Sequence, residues 1–178
     1  MRLFASVTLM LLCLAAGPGA FAQQKATVAD FAGPWVGRSE AGSDRERATT
    51  LLIEPAAEGA FQITWASFEA DPPGSGHVTA RERKLTFRPS KAPGIWLANP
   101  SSDPFDTLAA WAEIEGRTLN VSTVALRPDG RLERQSYKRT LTQDGLALSY
   151  RRWLDQDLDR EIDAEFLKLI SRPGDKRG

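Results

Sequence analysis

Hydrophobic and polar residues alternate in short stretches along most of this chain of 178 residues. Polar residues separate Phe61, Ile63 and Trp65, and a small residue separates Leu146 from Leu148. A period of two places alternate side chains on opposite faces of a β-strand, whereas a helix repeats every 3.6 residues. The pattern predicts strands at residues 35–40, 49–54, 60–68, 77–88, 94–98, 107–114, 117–126, 131–141 and 146–153.

Short turns separate these predicted strands, so neighbouring strands should pair antiparallel. Residues 127–130 read Arg-Pro-Asp-Gly, in which proline starts a type I turn and glycine accepts a positive φ. Longer stretches rich in Gly, Pro, Ser and Asp at 40–47, 71–76 and 91–105 predict loops. The sequence therefore predicts an all-β fold, an antiparallel up-and-down meander that forms a barrel of about 8–10 strands.

Residues 157–170 fit two structures. Acidic residues alternate strictly with other residues from Asp157 to Phe166, which favours a strand. Leu158, Ile162 and Phe166 are also four residues apart, as expected on one face of a helix. We favour a final strand after a tight turn at residues 155–156, since such a strand would help to close a barrel.

The N-terminal residues predict export. Arg2 precedes an apolar run at 3–16, followed by a Gly-Pro-Gly break and by Ala-Phe-Ala at 20–22. This is the pattern of a secretory signal peptide, and the run is shorter than the roughly 20 residues that span a bilayer. We expect cleavage after residue 22, a single domain at 23–172, a polar tail at 173–178, no transmembrane segment after cleavage, and a periplasmic or secreted protein.

Composition excludes several kinds of chemistry. The 23 basic and 23 acidic residues balance, so there is no basic excess to attract nucleic acid. The one cysteine, Cys13, lies in the predicted signal peptide, and the one histidine, His77, cannot alone form a triad or a multi-histidine metal site. We therefore expect no cofactor, no metal site and no catalytic constellation, and interpret the protein as not an enzyme.

Residues 30–37, which include Gly33 and Trp35, resemble the Gly-x-Trp signature that opens the first strand of lipocalins and other calycin barrels. The resemblance implies that Trp35 closes one end of the barrel and that an arginine from a late strand, Arg151 or Arg152, packs against its indole. The remaining chain resembles a group of small exported bacterial proteins of unassigned function, on the segments at 61–65, 111–119 and 137–141. That similarity implies a fold and a compartment, with no activity attached.

The aromatic residues suggest two functions. As residues of different strands, several could face one barrel interior, either as core or as the lining of an apolar ligand site. The first hypothesis is a barrel that binds a small apolar or amphipathic ligand; the second is a packed barrel that contacts a cell-envelope protein through the loops at 71–76 and 100–106. The candidate ligand-lining residues are Phe61, Trp65, Trp96, Trp111, Tyr137 and Tyr150.

Overall fold

A computed structural model describes residues 25–39, 47–70, 78–99 and 107–169 of the chain. The predicted signal peptide, His77 and the predicted interaction loops at 71–76 and 100–106 lie outside the described residues. Among the described residues, no helix has the length and apolar character needed to cross a bilayer.

The described residues form one short helix, one 3₁₀ turn and ten strands. Each strand pairs antiparallel with its neighbours in sequence, and the last strand pairs with the first, so the sheet closes on itself. The elements are α1 (Val28–Phe31), β1 (Gly33–Ser39), β2 (Arg47–Pro55), the 3₁₀ turn (Ala57–Gly59), β3 (Phe61–Ala70), β4 (Val78–Pro89), β5 (Ile95–Ala98), β6 (Ala109–Glu115), β7 (Thr118–Leu126), β8 (Leu132–Leu141), β9 (Leu146–Leu154) and β10 (Asp157–Lys168).

This architecture confirms the predicted all-β, up-and-down barrel and is consistent with the lipocalin-like fold that was expected. The C-terminal segment is a strand, as favoured, and β10 pairs with both β9 and β1. Ile162, Ala164 and Phe166 face the interior, while the acidic residues between them face outwards. A helix at this position would have left the edges of β1 and β9 without partners, and closure removes such exposed edges.

The predicted turns also form. Gly130 has a φ of +83°, and its N–H donates a 2.9 Å hydrogen bond to the carbonyl of Arg127 in the β7–β8 turn. Asp155 has a φ of +57° between β9 and β10, and its side-chain Oδ1 accepts a 3.0 Å hydrogen bond from the N–H of Leu132. Asp and Asn tolerate this left-handed conformation better than other residues, because a short polar side chain can bond locally.

α1 covers one end of the barrel. The N–H and hydroxyl of Thr27 donate to the Asp30 carboxylate at 2.7 and 2.8 Å, which fixes the first turn of the helix, and the backbone hydrogen bond lowers the pKa of Asp30. The helix delivers Phe31 to the core, where its side chain is fully buried. Further inside, Phe61 stacks on Phe87 with ring centroids 5.0 Å apart. This half of the barrel is filled by apolar side chains.

The cationic residue that packs against the Trp35 ring differs from the prediction. Trp35 is buried, but the cation over its ring is Lys168, whose Nζ lies 5.2 Å from the ring centroid. Arg151 instead bonds Glu161 on the outside, and Nε of Arg152 donates to Asp159 at 2.7 Å. Register explains the correction, because β10 lies beside β1 and Trp35 pairs directly with Lys168, whereas β9 is one strand further away.

Candidate functional site

The half of the barrel away from α1 is not filled, and contains a cavity of about 190 Å³. Its walls come from β1, β2, β3, β8, β9 and β10, so strands from both ends of the sequence meet around it. Most lining residues are aromatic, aliphatic or small, and two are basic. They are Gly37, Thr49, Leu51, Trp65, Ser67, Tyr137, Arg139, Leu148, Tyr150, Arg160, Ile162, Ala164 and Phe166.

β8 contributes polar side chains to this interior. Because side chains alternate along a strand, Gln135, Tyr137 and Arg139 share the inward face, and Leu148 and Tyr150 face them from the next strand. In register, Tyr137 pairs with Tyr150, and Arg139 pairs with Leu148. The strand therefore places a cation and a phenol side by side in a largely apolar cavity.

A hydrogen-bonded chain runs along the inward face of β8. The Tyr137 hydroxyl donates to Oε1 of Gln135, and Nε2 of Gln135 donates to Oε1 of Glu133. Nη1 of Arg127 donates a 3.0 Å hydrogen bond to Oε2 of Glu133, and the two side chains form an ion pair. The chain orients the Tyr137 hydroxyl, and Arg127 provides a cationic partner for the Glu133 carboxylate.

Three aromatic rings form one cluster at the cavity. The ring centroids of Trp65 and Tyr137 are 5.5 Å apart, and those of Tyr137 and Tyr150 are 4.9 Å apart. Tilted pairs at these separations are favourable beyond the area that they bury. Burial raises the pKa of both tyrosines, because the apolar surroundings disfavour the phenolate. Both side chains are therefore neutral at physiological pH.

Arg139 is the most unusual member of the lining. Its side chain is only 3% exposed, and its guanidinium carbon lies 5.1 Å from the centroid of the Tyr137 ring and 6.0 Å from that of Trp65. Within the described part of the chain, Nη1 of Arg139 has no hydrogen-bond partner, and no ion pair involves this residue. Burial lowers the pKa of Arg139 to about 10, which leaves it charged at neutral pH.

The structure brings together three of the six aromatic residues predicted to line a ligand site: Trp65, Tyr137 and Tyr150. Phe61 lies in the filled half of the barrel, and Trp96 packs against it edge to face at 5.7 Å, with its indole N–H bonded to the carbonyl of Gly59. Trp111 lies on the outer face of β6, because Ala110 and Ala112 on either side of it face the core.

Sequence reasoning missed Arg139 and Arg160 as lining residues. Arg139 lies two residues after Tyr137, a predicted lining residue, and the period of two places both side chains on the same face. That spacing was a usable signal. The sequence signal for Arg160 is weaker, because the register of β9 and β10 shifts between Leu158 and Arg160. A bulge of this kind changes which side chain faces inwards.

Across the ranges that the structure describes, no group of His, Cys, Asp or Glu is arranged to hold a metal ion.

No protein-family model matches this chain, and no curated protein matches it. The family resemblance at Gly33 and Trp35 therefore remains a prediction.

Proposed function

We propose that this protein is a non-enzymatic, exported β-barrel that binds a small apolar or amphipathic molecule inside its cavity. The observation that carries the proposal is the unfilled half of the barrel. Protein interiors are packed like organic crystals, and few of their voids exceed a water molecule. A space of about 190 Å³ inside the ring of strands is therefore larger than the voids that ordinary packing leaves, and it has room for a small ligand.

The size and lining limit the ligand. An engineered apolar cavity of about 150 Å³ is known to hold benzene, so this space fits a molecule of about one ring with small substituents. Pockets for drug-sized ligands measure roughly 300–1,000 Å³, so a larger molecule would have to protrude from the barrel. Leu51, Leu148 and Ile162 offer an apolar wall, and the aromatic cluster offers ring faces.

Export rests on the N-terminal pattern at residues 1–22, and the absence of catalysis rests on the lack of a recognisable constellation in the sequence. The second predicted function, contact with an envelope protein through the loops at 71–76 and 100–106, depends on residues outside the described ranges. The cavity carries more evidence, so small-molecule binding is the function that we propose.

Native mass spectrometry tests the proposal on the protein as processed by the cell that expresses it. A small-molecule adduct should travel with the folded protein and disappear on denaturation. Ala164→Leu, which fills the cavity from β10, should abolish the adduct. Ala147→Leu is the matched control, because Ala147 lies on β9 between the inward-facing Leu146 and Leu148 and therefore on the other face.

The result that would overturn the proposal is equally defined. A bare protein mass from the cell, together with no binding of small aromatic probes such as 4-fluorotoluene by fluorine NMR, would show that the cavity takes no ligand. An adduct that persists in Ala164→Leu would place binding elsewhere on the protein and would also refute the assignment to this cavity.

A further inference from the structure

We propose that the ligand of this cavity carries a carboxylate, and that Arg139 pairs with it while the apolar walls hold a single ring or a short branched chain. The inference rests on the proposed function, because it requires that the cavity take a ligand. It goes further in naming the chemical class of that ligand and the residue that selects it.

The first argument is the cost of burying Arg139. A charged group taken out of water costs several kcal/mol unless a partner compensates for it. A guanidinium carries five N–H donors in a planar fork, and ring faces satisfy its charge in part but accept no conventional hydrogen bonds. The contacts of Arg139 with Tyr137 and Trp65 are of this kind, and Nη1 has no partner in the described residues. An anionic ligand would supply the missing acceptors.

The second argument is the charge of the lining. Thirteen residues line the cavity, two of them are arginines, and none is acidic. The carboxylates nearby have cationic partners of their own: Glu133 bonds Arg127, and Asp159 bonds Arg152. The chain as a whole has no net charge, so the positive charge at the cavity is a local property of the interior. An anion that enters meets no opposing carboxylate among the lining residues.

The third argument is geometry. A planar guanidinium matches a carboxylate with two parallel N–H···O bonds, and such charge-assisted pairs are roughly twice as strong as neutral hydrogen bonds. The Tyr137 ring supports one side of Arg139, and Gln135 holds the Tyr137 hydroxyl in place. Arg139 is therefore oriented before a ligand binds, which reduces the entropic cost of binding. Leu148 and Leu51 leave the remainder of the cavity suited to an apolar body.

Fluorine NMR with two matched probes tests the inference. At neutral pH 4-fluorobenzoate is an anion, and 4-fluorobenzamide is its neutral analogue of nearly the same shape. We expect wild-type protein to bind the benzoate about 10-fold or more tightly than the benzamide, as the strength of a charged hydrogen bond implies. Arg139→Met should remove this preference, and Arg139→Lys, which keeps the charge without the fork, should retain part of it.

Arg151→Met is the control for a general loss of positive charge. Arg151 lies on β9, which forms part of the cavity wall, but its side chain bonds Glu161 outside the barrel. This variant should bind the benzoate as the wild type does. Urea unfolding of each variant will show that it is folded, and the comparison of the two probes on wild-type protein needs no variant at all.

The outcomes separate this inference from the function on which it rests. Equal affinity of wild type for the two probes, or a preference that survives Arg139→Met, would overturn the carboxylate assignment and leave small-molecule binding intact. Failure of both probes and of 4-fluorotoluene to bind, together with a bare protein mass from the cell, would overturn the inference together with the proposed function.

Discussion

The indole N–H of Trp35 donates a 2.9 Å hydrogen bond to the backbone carbonyl of Phe31. The bond joins the first strand to the helix that covers the end of the barrel. Both side chains are buried, and Lys168 from the last strand lies over the Trp35 ring. One residue therefore holds together the helical cover, the first strand and the last strand, at the point where the ring of strands closes.

Trp35→Ala should lower the free energy of unfolding by about 3–5 kcal/mol, because it leaves a cavity in the core and removes the bond to Phe31. Trp111→Ala is the matched control, since Trp111 lies on the outer face, and it should cost distinctly less. Urea unfolding followed by circular dichroism measures both. A loss below about 1 kcal/mol for Trp35→Ala would contradict the closing role of this residue.

The architecture was predictable because each strand follows a simple alternation and each short turn has its own residue signature. The prediction placed β8 at 131–141 and β9 at 146–153, and the structure has them at Leu132–Leu141 and Leu146–Leu154. The error at the closure, Arg151 or Arg152 in place of Lys168, arose because the resemblance assigns the partner only to a late strand. The register of β1 and β10 places Lys168 opposite Trp35.

The site was harder to predict than the fold. In β8 both faces are polar, so alternation alone cannot say which face points inwards: Lys138 and Thr140 lie on one face, and Tyr137 and Arg139 on the other. In β6 the inward residues are small, and the large Trp111 faces outwards, which reverses the usual expectation that the largest apolar residue is inside. Register with the neighbouring strands, which settles both cases, depends on the whole sheet.

Gly37 allows a close approach between β1 and β10. A Cβ atom at this position would lie 2.8 Å from the Phe166 ring, which is closer than carbon atoms pack. Gly37→Ala should therefore lower the free energy of unfolding by about 1–3 kcal/mol, as other overpacked cores do. The measurement is urea unfolding.

A double variant tests the cause of that loss. Phe166→Ala removes the ring atoms nearest to the added methyl group, so the cost of Gly37→Ala should become smaller in this background than in the wild type. Equal costs in the two backgrounds would show that the ring is not the obstacle.

The two tyrosines of the chain, Tyr137 and Tyr150, should resist ionisation in the folded protein. Burial raises the pKa of both, so near pH 10, where an unfolded tyrosine is about half ionised, the folded protein should show little tyrosinate absorbance. The folded state then holds more protons than the unfolded state, and these groups make stability fall as pH rises above about 10. Tyrosinate absorbance at the usual pKa would show that solvent reaches both rings.

Arg139→Met should stabilise the ligand-free protein while it removes the preference for a carboxylate. Methionine is unbranched and adapts its shape to irregular gaps, and replacing buried charges by apolar residues of similar volume is often neutral or stabilising by about 1–4 kcal/mol. The contacts of Arg139 with the rings of Tyr137 and Trp65 oppose this gain, so we expect a net increase of about 1 kcal/mol in the free energy of unfolding. Arg151→Met, which breaks an exposed ion pair, should change that free energy by less than about 1 kcal/mol.

Urea unfolding of protein stripped of ligand by refolding measures both effects. A clear loss of stability in Arg139→Met would mean that the guanidinium stabilises the barrel by itself, and the argument that its burial needs an anionic partner would fail. We expect Arg139→Met to be more stable than the wild type without ligand, and the wild type to be the more stable of the two when 4-fluorobenzoate is added in excess. A ligand that binds the folded state stabilises it more when its affinity is higher, so the wild type gains more from the benzoate. This is the result expected of a binding residue that is kept at a cost in stability.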